Sequence, residues 1–323
     1  SAAVDLRRRA WVVPALVVTL AMGLLPVCAA LRGVLDPATW EELGRSLLWA
    51  RLARSVAIAV AVAACAVPLG LLLAWMLVRS DLPARRPLLA ASALPLFLPP
   101  LIHALSWFSL LDLAGPPAIV LVHLVSYLPL VILLAARSLS QVGRAHAETI
   151  SILGGDAAVF RDDLRQALPA ALVGGGLATV LQLSDFAVAD FLTSVGPKVT
   201  VYADSLFALY QQGRTAAAAA AALPGIALAL ALLAWALRAR RRLGSAVDAR
   251  FERAPPLALG AARLPLFALV ACVVGAGSVL PVVVLAVRTG TWASFAEQAA
   301  LASQALVRTV GIGALAATLM VVL

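Results

Sequence analysis

The feature that most constrains this chain is a series of long apolar segments that recurs from one end of the sequence to the other. A helix needs about 20 apolar residues to cross a hydrocarbon core of roughly 30 Å. Apolar residues make up 63% of the chain and charged residues 13%, with a mean hydropathy of +1.00, which excludes an ordinary soluble domain. The predicted spans are Ala10 to Leu31, Val56 to Val78, Leu88 to Leu111, Ala118 to Ala136, Pro169 to Leu192, Ala216 to Leu237, Leu264 to Val287 and one from about Ala305.

These windows favour helices over barrel strands. Alanine and leucine dominate them without an apolar and polar alternation, and a helix satisfies its own backbone hydrogen bonds in lipid. The sequence therefore predicts an all-α polytopic membrane protein. The first window follows three arginines but lacks a clean cleavage site, so we interpret it as a membrane anchor. Cys28, Cys65 and Cys272 have no metal-ligand spacing and are interpreted as small core residues.

Basic residues are distributed unevenly between the two sides of the predicted topology. With the N-terminus inside, 17 of the 25 Lys and Arg residues are cytoplasmic, whereas the 16 acidic residues divide evenly. The net charge of +9 thus suits anionic lipid and not nucleic acid, because the arginines flank spans and do not alternate with stacking aromatics. We expect a multi-pass protein of the bacterial inner membrane with a cytoplasmic N-terminus.

An internal repeat relates the beginning of the chain to its end. The sequence GLLPVCAALRG at 23–33 matches GSVLPVVVLAVRTG at 277–290, and LARSVAIAV at 52–60 matches LVRTVGIGA at 306–314. The two offsets, 255 and 254 residues, agree. Six spans separate the copies, so both enter the membrane in the same direction, as in transporters with parallel repeats. We expect a truncated second copy that would need roughly 200 further residues for four more spans.

The patterns divide the chain into four segments. Residues 1–45 hold the first span and an outer loop, and 46–242 form a membrane domain that contains a polar stretch near 138–169. Residues 243–263 form a cytoplasmic linker, and 264–323 begin the second repeat.

The polar stretch from Arg137 to Pro169, here called the charged segment, interrupts an otherwise apolar sequence. Helix formers predict a first helix from Ser138 to Leu153, which two glycines then break, and Asp156 is a suitable N-cap for a second helix. That helix is predicted to be amphipathic, and Pro169 to begin the next span. Its apolar face holds Phe160, Leu164, Ala167 and Leu168, and its polar face Arg161, Asp162, Asp163, Arg165 and Gln166. The segment is either a solvated loop on the lipid surface or a docking element.

The charged segment resembles the EAA loop of permease subunits in binding-protein-dependent ABC importers. That loop reads Glu-Ala-Ala, three residues, Gly, nine residues, Ile, any residue and Leu-Pro. Glu148 is followed by Gly154 at the same distance, and Leu168 with Pro169 supplies a closing Leu-Pro. The resemblance marks this segment as the part that contacts an ATPase.

Two departures from the pattern affect its register. Thr149 and Ile150 replace the two alanines, and thirteen residues instead of eleven separate the glycine from the Leu-Pro, so Leu164 with Arg165 is an alternative closing pair. The sequences RSDL at 79–82, LPLFLPPLIHALSW at 94–107 and QLSDFAVADFL at 182–192 resemble landmarks of the double-length ferric-iron-type permeases.

The resemblance implies a type I importer permease fold that works with partners. Two cytoplasmic ATPase subunits would hold ATP and Mg²⁺, and an outer binding protein would deliver the substrate. No phosphate-loop motif occurs in this chain, which agrees with a transport subunit that is not an enzyme and binds no cofactor. Ferric iron is the expected substrate, with thiamine, polyamine, sulfate or phosphonate as alternatives. The coupling residues expected are Glu148, Gly154, Gly155, Asp156, Phe160, Arg161, Asp162, Asp163, Leu164 and Arg165.

Polar residues and prolines near spans mark a candidate translocation path. Charged residues in a membrane core usually face a partner or a wet cavity, and broken helices often border transport routes. The path candidates are Gln182, Ser184, Asp185, Asp190, Pro99 and Pro100. The alternatives are hydrated carboxylates at the interface and proline kinks that serve packing. His103 and His123 lack metal-site spacing and are interpreted as packing residues.

Two other functional classes are open to such a sequence. An ion-coupled secondary transporter would need a coupling acid or lysine within a span and no ATPase, and Asp185 is the nearest candidate. A membrane scaffold would move no substrate. An intramembrane hydrolase is disfavoured because no G-x-S-x-G or H-E-x-x-H motif is present.

Overall fold

A computed structural model describes residues 37–243 and 254–322, together with positions 24, 28, 31, 32 and 35. Within these residues the chain is almost entirely helical and contains no β-strand. The helices are α1 (Pro37–Gly44), α2 (Ser46–Arg79), α3 (Arg85–Ala91), α4 (Pro100–Leu111), α5 (Gly115–Leu139), α6 (Arg144–Ser184), α7 (Ala187–Ser194), α8 (Tyr202–Gln211), α9 (Thr215–Ala221), α10 (Leu223–Leu243), α11 (Arg263–Ser278), α12 (Leu280–Thr289), α13 (Trp292–Leu301) and α14 (Ser303–Val322).

The helix lengths confirm an all-α membrane protein. Among the described residues, five apolar helical stretches are long enough to cross a membrane, and two bent pairs raise this number to seven if each pair is one span. One bent pair joins Arg85–Phe97 to Pro100–Leu111 at 99°, within the predicted span Leu88 to Leu111, whose prolines were expected to interrupt its hydrogen bonding. Prolines explain the bend, since they cannot donate to the helical ladder. Most of the first predicted span, Ala10 to Leu31, lies outside the described residues.

The core lies where α2, α5 and α6 pack side by side. Small residues allow the backbones to approach closely, as is usual in membrane helix pairs. A Cβ added at Gly174 of α6 would lie 2.7 Å from the Cα of Val131 in α5, and one at Gly70 of α2 would lie 2.7 Å from the Val131 side chain. The three cysteines, predicted to be core residues, are instead exposed on the outside of the helices.

The charged segment agrees with its prediction at the glycine break and differs from it at two points. The first helix begins at Arg144 and not at Ser138, because α5 continues to Leu139 before a short turn. The break falls at Gly155, one of the two glycines predicted to interrupt the helix. Pro169 lies inside α6, so the predicted amphipathic helix and the following span form one continuous helix. Membrane helices tolerate such a proline because neighbouring groups satisfy the freed carbonyl.

The described part of the linker runs beside the end of α2. Leu257 donates its N–H to the Arg79 carbonyl at 2.7 Å and accepts from the Asp81 N–H at 3.1 Å. The Ala254 N–H donates to the Val142 carbonyl at 3.1 Å, next to the start of α6. The linker, the end of α2 and the turn before α6 therefore lie together at one end of the bundle.

The first helices of the predicted second copy pack on the bent pair. The Ser278 hydroxyl donates to the Ala91 carbonyl at 2.7 Å, and the Ser106 hydroxyl donates to the Pro281 carbonyl at 3.0 Å. The predicted span Leu264 to Val287 is divided at Val279 into α11 and α12. Pro281 accounts for the division, because it has no N–H with which to continue the ladder.

Candidate functional site

The charged segment folds into an exposed helical turn around Gly155. This glycine has φ +67° and ψ −170°, a conformation essentially restricted to glycine. The neighbouring Ile152 and Leu153 side chains are 85% and 79% exposed, although both are apolar. A Cβ at Gly154 would lie 2.7 Å from the Cβ of Ala158, so this position also disfavours a side chain. The turn therefore presents apolar side chains outward on a backbone that needs both glycines.

The turn joins a first arm, which begins at Arg144 and ends at Gly154, to a second arm, which begins at Asp156. Three polar side chains connect the two arms. Asp162 on the second arm accepts hydrogen bonds from His146 on the first arm at 2.7 Å and from Gln166 at 2.6 Å. The Gln166 and His146 side chains also lie 2.9 Å apart. Sequence analysis missed His146, since its partners lie 16 and 20 residues away. The i,i+4 pair of Asp162 and Gln166 was the one local signal.

Glu148 lies on the exposed side of the first arm. Its carboxylate accepts from the Arg144 guanidinium at 2.6 Å, and both side chains are about half exposed. Such an i,i+4 pair adds little to stability, so Glu148 has no evident packing role.

Asp163 is buried, which corrects its assignment to the exposed polar face. Its side chain is 1% exposed and accepts from the Arg79 guanidinium at 2.9 Å and from the Trp75 indole N–H at 3.1 Å. The helical period explains the error, because Asp163 is three residues after Phe160 and four before Ala167, both on the apolar face. The ring of Trp75 packs edge-on against Phe160 with centroids 4.7 Å apart.

Most other residues of the second arm have the exposure expected of an amphipathic helix, but Leu168, predicted on the apolar face, is 40% exposed. Arg161 and Arg165 are exposed and Leu164 is half-buried, while Asp156 is exposed beside the turn. Exposed charges thus surround the turn, and a buried charge lies beneath it.

Arg79 joins the second arm to the linker. Its Nε donates to Asp163, and its Nη1 donates to the Pro255 carbonyl at 3.2 Å. Arg79 is the last residue of α2 and is 2% exposed. A buried arginine needs a counter-charge and hydrogen-bond acceptors, and Asp163 with the linker carbonyl supplies them. The sequence placed Arg79 in a landmark motif but did not indicate this pairing.

The path candidate Asp185 lies at a break between helices α6 and α7. The fifth predicted span, Pro169 to Leu192, consists of the end of α6 and most of α7, separated at Asp185 and Phe186. The Asp185 Oδ1 accepts from the Ala187 N–H at 2.9 Å, and its Oδ2 lies 3.4 Å from the His123 Nε2. The His123 Nδ1 lies 2.9 Å from the Ile119 carbonyl. The carboxylate therefore caps α7 and faces a buried histidine.

The remaining path candidates are not gathered around Asp185. Gln182 is buried, and its Oε1 has no hydrogen-bond partner among the described residues. Ser184 is exposed and lines a cavity of about 410 Å³ between α6, α8 and α10. Pro99 and Pro100 lie at the bend before α4.

Asp190 is exposed and lies near a second carboxylate, Asp204. Burial raises the pKa of Asp204, and the Asp190 charge raises it further, while the Val201 N–H and Arg51 act in the opposite direction. The Asp204 Oδ2 accepts from the Val201 N–H at 2.7 Å. No group of three or more His, Cys, Asp or Glu within the described ranges could hold a metal ion.

A comparison with known protein families and with curated proteins finds no match to this chain.

Proposed function

We propose that this chain is the membrane-spanning permease subunit of an ATP-driven importer, and that the turn at Gly155 is its contact with a cytoplasmic ATPase. The observation that carries this proposal is the rigid connection between the exposed turn and a membrane span. From Asp156 to Ser184 helix α6 is unbroken, so a push at the turn moves the span as one body.

The surrounding contacts suit this transmission. The tie between His146, Asp162 and Gln166 keeps the two arms from moving independently. The buried Asp163–Arg79 pair then connects the second arm to the end of α2. The exposed Ile152 and Leu153 supply apolar contact surface, which a solvated loop does not need.

The remaining assignments follow from the resemblance to type I importer permeases. Two ATPase subunits would bind ATP and Mg²⁺ below the inner membrane, and a binding protein would deliver the substrate outside. Ferric iron is the proposed substrate. The break at Asp185 is the proposed border of the path, because discontinuous helices and buried carboxylates accompany such paths in transporters.

Association with the ATPase tests the proposal directly. The full-length protein should copurify with its ATPase and take up substrate in vesicles that contain ATP and the binding protein. Replacing Glu148 and Gly154 should abolish both association and uptake while the protein stays folded. Uptake that persists without any ATPase would establish an ion-coupled transporter instead, and the absence of substrate movement with all partners present would favour a scaffold.

A further inference from the structure

A cavity of about 500 Å³ lies at the end of the bundle where the linker meets α2 and α5. Four arginines line it, and its described lining contains no carboxylate. Its volume lies within the range of about 300–1,000 Å³ that is usual for small-molecule sites. The arginines are Arg79, Arg85, Arg86 and Arg137.

Within the described part of the chain, two of these arginines have protein partners and two do not. Arg79 is bound to Asp163, and the Arg85 guanidinium donates to the Ser80 carbonyl at 3.0 Å. Arg86 and Arg137 are exposed, and neither guanidinium forms a hydrogen bond or an ion pair with a residue that the structure describes.

Nearby described carboxylates are already engaged. Asp163 accepts from Arg79 and Trp75, and Asp81 accepts from the Leu259 N–H at 2.9 Å with Arg263 at 3.9 Å. Two arginines without a described counter-charge thus line one cavity, which favours an external anion.

The position of the cavity indicates what kind of anion reaches it. Arg79 ends one membrane-length helix and Arg137 lies in the last turn of another, so the cavity is at the level where spans leave the hydrocarbon. Leu89 and Leu133 form part of its wall beside the arginines. An apolar wall next to cationic groups matches a phospholipid, whose phosphate and acyl chains are adjacent.

We propose that this cavity is a binding site for a phosphate-bearing anion, for which an anionic phospholipid headgroup and free phosphate are the two sources. The guanidinium groups of Arg86 and Arg137 hold the phosphate oxygens, and Arg85, which donates only to a neutral carbonyl, adds positive potential, whereas the charge of Arg79 is balanced by Asp163. The site is separate from the exposed turn at Gly155.

The test compares lipid retention in two matched double variants of the full-length protein. Arg86→Gln with Arg137→Gln removes the two arginines that line the cavity, whereas Arg161→Gln with Arg165→Gln removes two exposed arginines outside it. Native mass spectrometry measures phosphatidylglycerol bound from mixed micelles, with phosphatidylcholine as the neutral reference. A thermal-shift titration with inorganic phosphate tests the second source.

We expect the cavity variant to bind phosphatidylglycerol about thirty-fold more weakly, since each arginine near an anionic surface contributes about five-fold. The outer variant should bind like the unaltered protein, and Arg86→Lys with Arg137→Lys should recover part of the affinity in a folded protein. Stabilisation by phosphate that the cavity variant alone loses would assign the site to a soluble anion. Equal loss in both Gln variants, or no preference for either anion over phosphatidylcholine, would overturn the proposal.

Discussion

Two carboxylates, one within α6 and one directly after its last residue, differ in what holds them. Asp163 lies in the second arm of the turn, is 1% exposed and binds a buried arginine and an indole N–H. Asp185 lies where α6 ends, caps α7 and faces a histidine at 3.4 Å. At about 1.5 Å per residue the two are about 33 Å apart, close to the thickness of the hydrocarbon core.

The Asp163–Arg79 pair is a fixed connection between two helices, whereas the helix break at Asp185 is an adjustable one. An arginine stays charged at any physiological pH, so the Asp163 pair persists and joins the turn to α2 rigidly. The Asp185 carboxylate instead faces a histidine at 3.4 Å, and the backbone around it is already interrupted. We infer that the end of α6 near the turn transmits movement, whereas the end near Asp185 is where the bundle can rearrange.

The largest expected effect is on the fixed connection. Replacing Asp163 by Ala leaves Arg79 buried without its counter-charge, which should cost about 3–5 kcal/mol of unfolding free energy. Chemical denaturation in detergent measures this. Asp162→Ala, a neighbouring and more exposed carboxylate, is the matched control and should cost much less.

A double variant tests whether the loss of stability comes from the unpaired charge of Arg79. Arg79→Met with Asp163→Leu removes both charges and should recover most of the lost stability, because apolar pairs often replace buried ion pairs without loss. If the single Asp163→Ala variant is as stable as the control, the connection is not rigid and the contrast between the two ends fails.

The next effect concerns the turn that the fixed connection supports. Gly155→Ala forces an alanine into a conformation that costs about 1–3 kcal/mol. We expect lower stability and faster hydrogen exchange at 152–158. Gly275→Ala is the control, because that helical glycine has open space around its Cβ position and should gain about 0.5–1 kcal/mol. An unchanged exchange rate would show that the turn does not need this conformation.

The adjustable end should respond more weakly in stability. Asp185→Asn retains a side-chain oxygen to cap α7 and a polar group that faces His123, so we expect a loss of about 1 kcal/mol. Asp185→Ala loses the cap as well and should cost about 1–2 kcal/mol. Vesicle uptake distinguishes the roles: uptake that is unchanged in Asp185→Asn would remove this carboxylate from the proposed path.

These two ends also show what the sequence could predict. The apolar windows predicted where long helices occur, because a helix that crosses a membrane must have a certain length and an apolar composition. The break at Gly155 followed from the glycine pair. Asp163 was misassigned since a carboxylate suggests exposure, although its spacing from Phe160 and Ala167 placed it on the buried face. Its partner Arg79 is 84 residues away, and no local pattern indicates such a contact.

The smallest expected effect on stability is at the exposed arm. Glu148→Ala removes an exposed i,i+4 pair, which should change the free energy of unfolding by only about 0.3–0.5 kcal/mol. Its effect on copurification of the ATPase should nevertheless be large, because this carboxylate lies outside the packed core and is available to a partner. Glu297→Ala, an exposed carboxylate in α13, is the control for both measurements. Loss of ATPase binding at unchanged stability would show that Glu148 contacts the partner without stabilising the fold. Equal ATPase binding in both variants would instead indicate that the exposed apolar side chains of Ile152 and Leu153 make the contact.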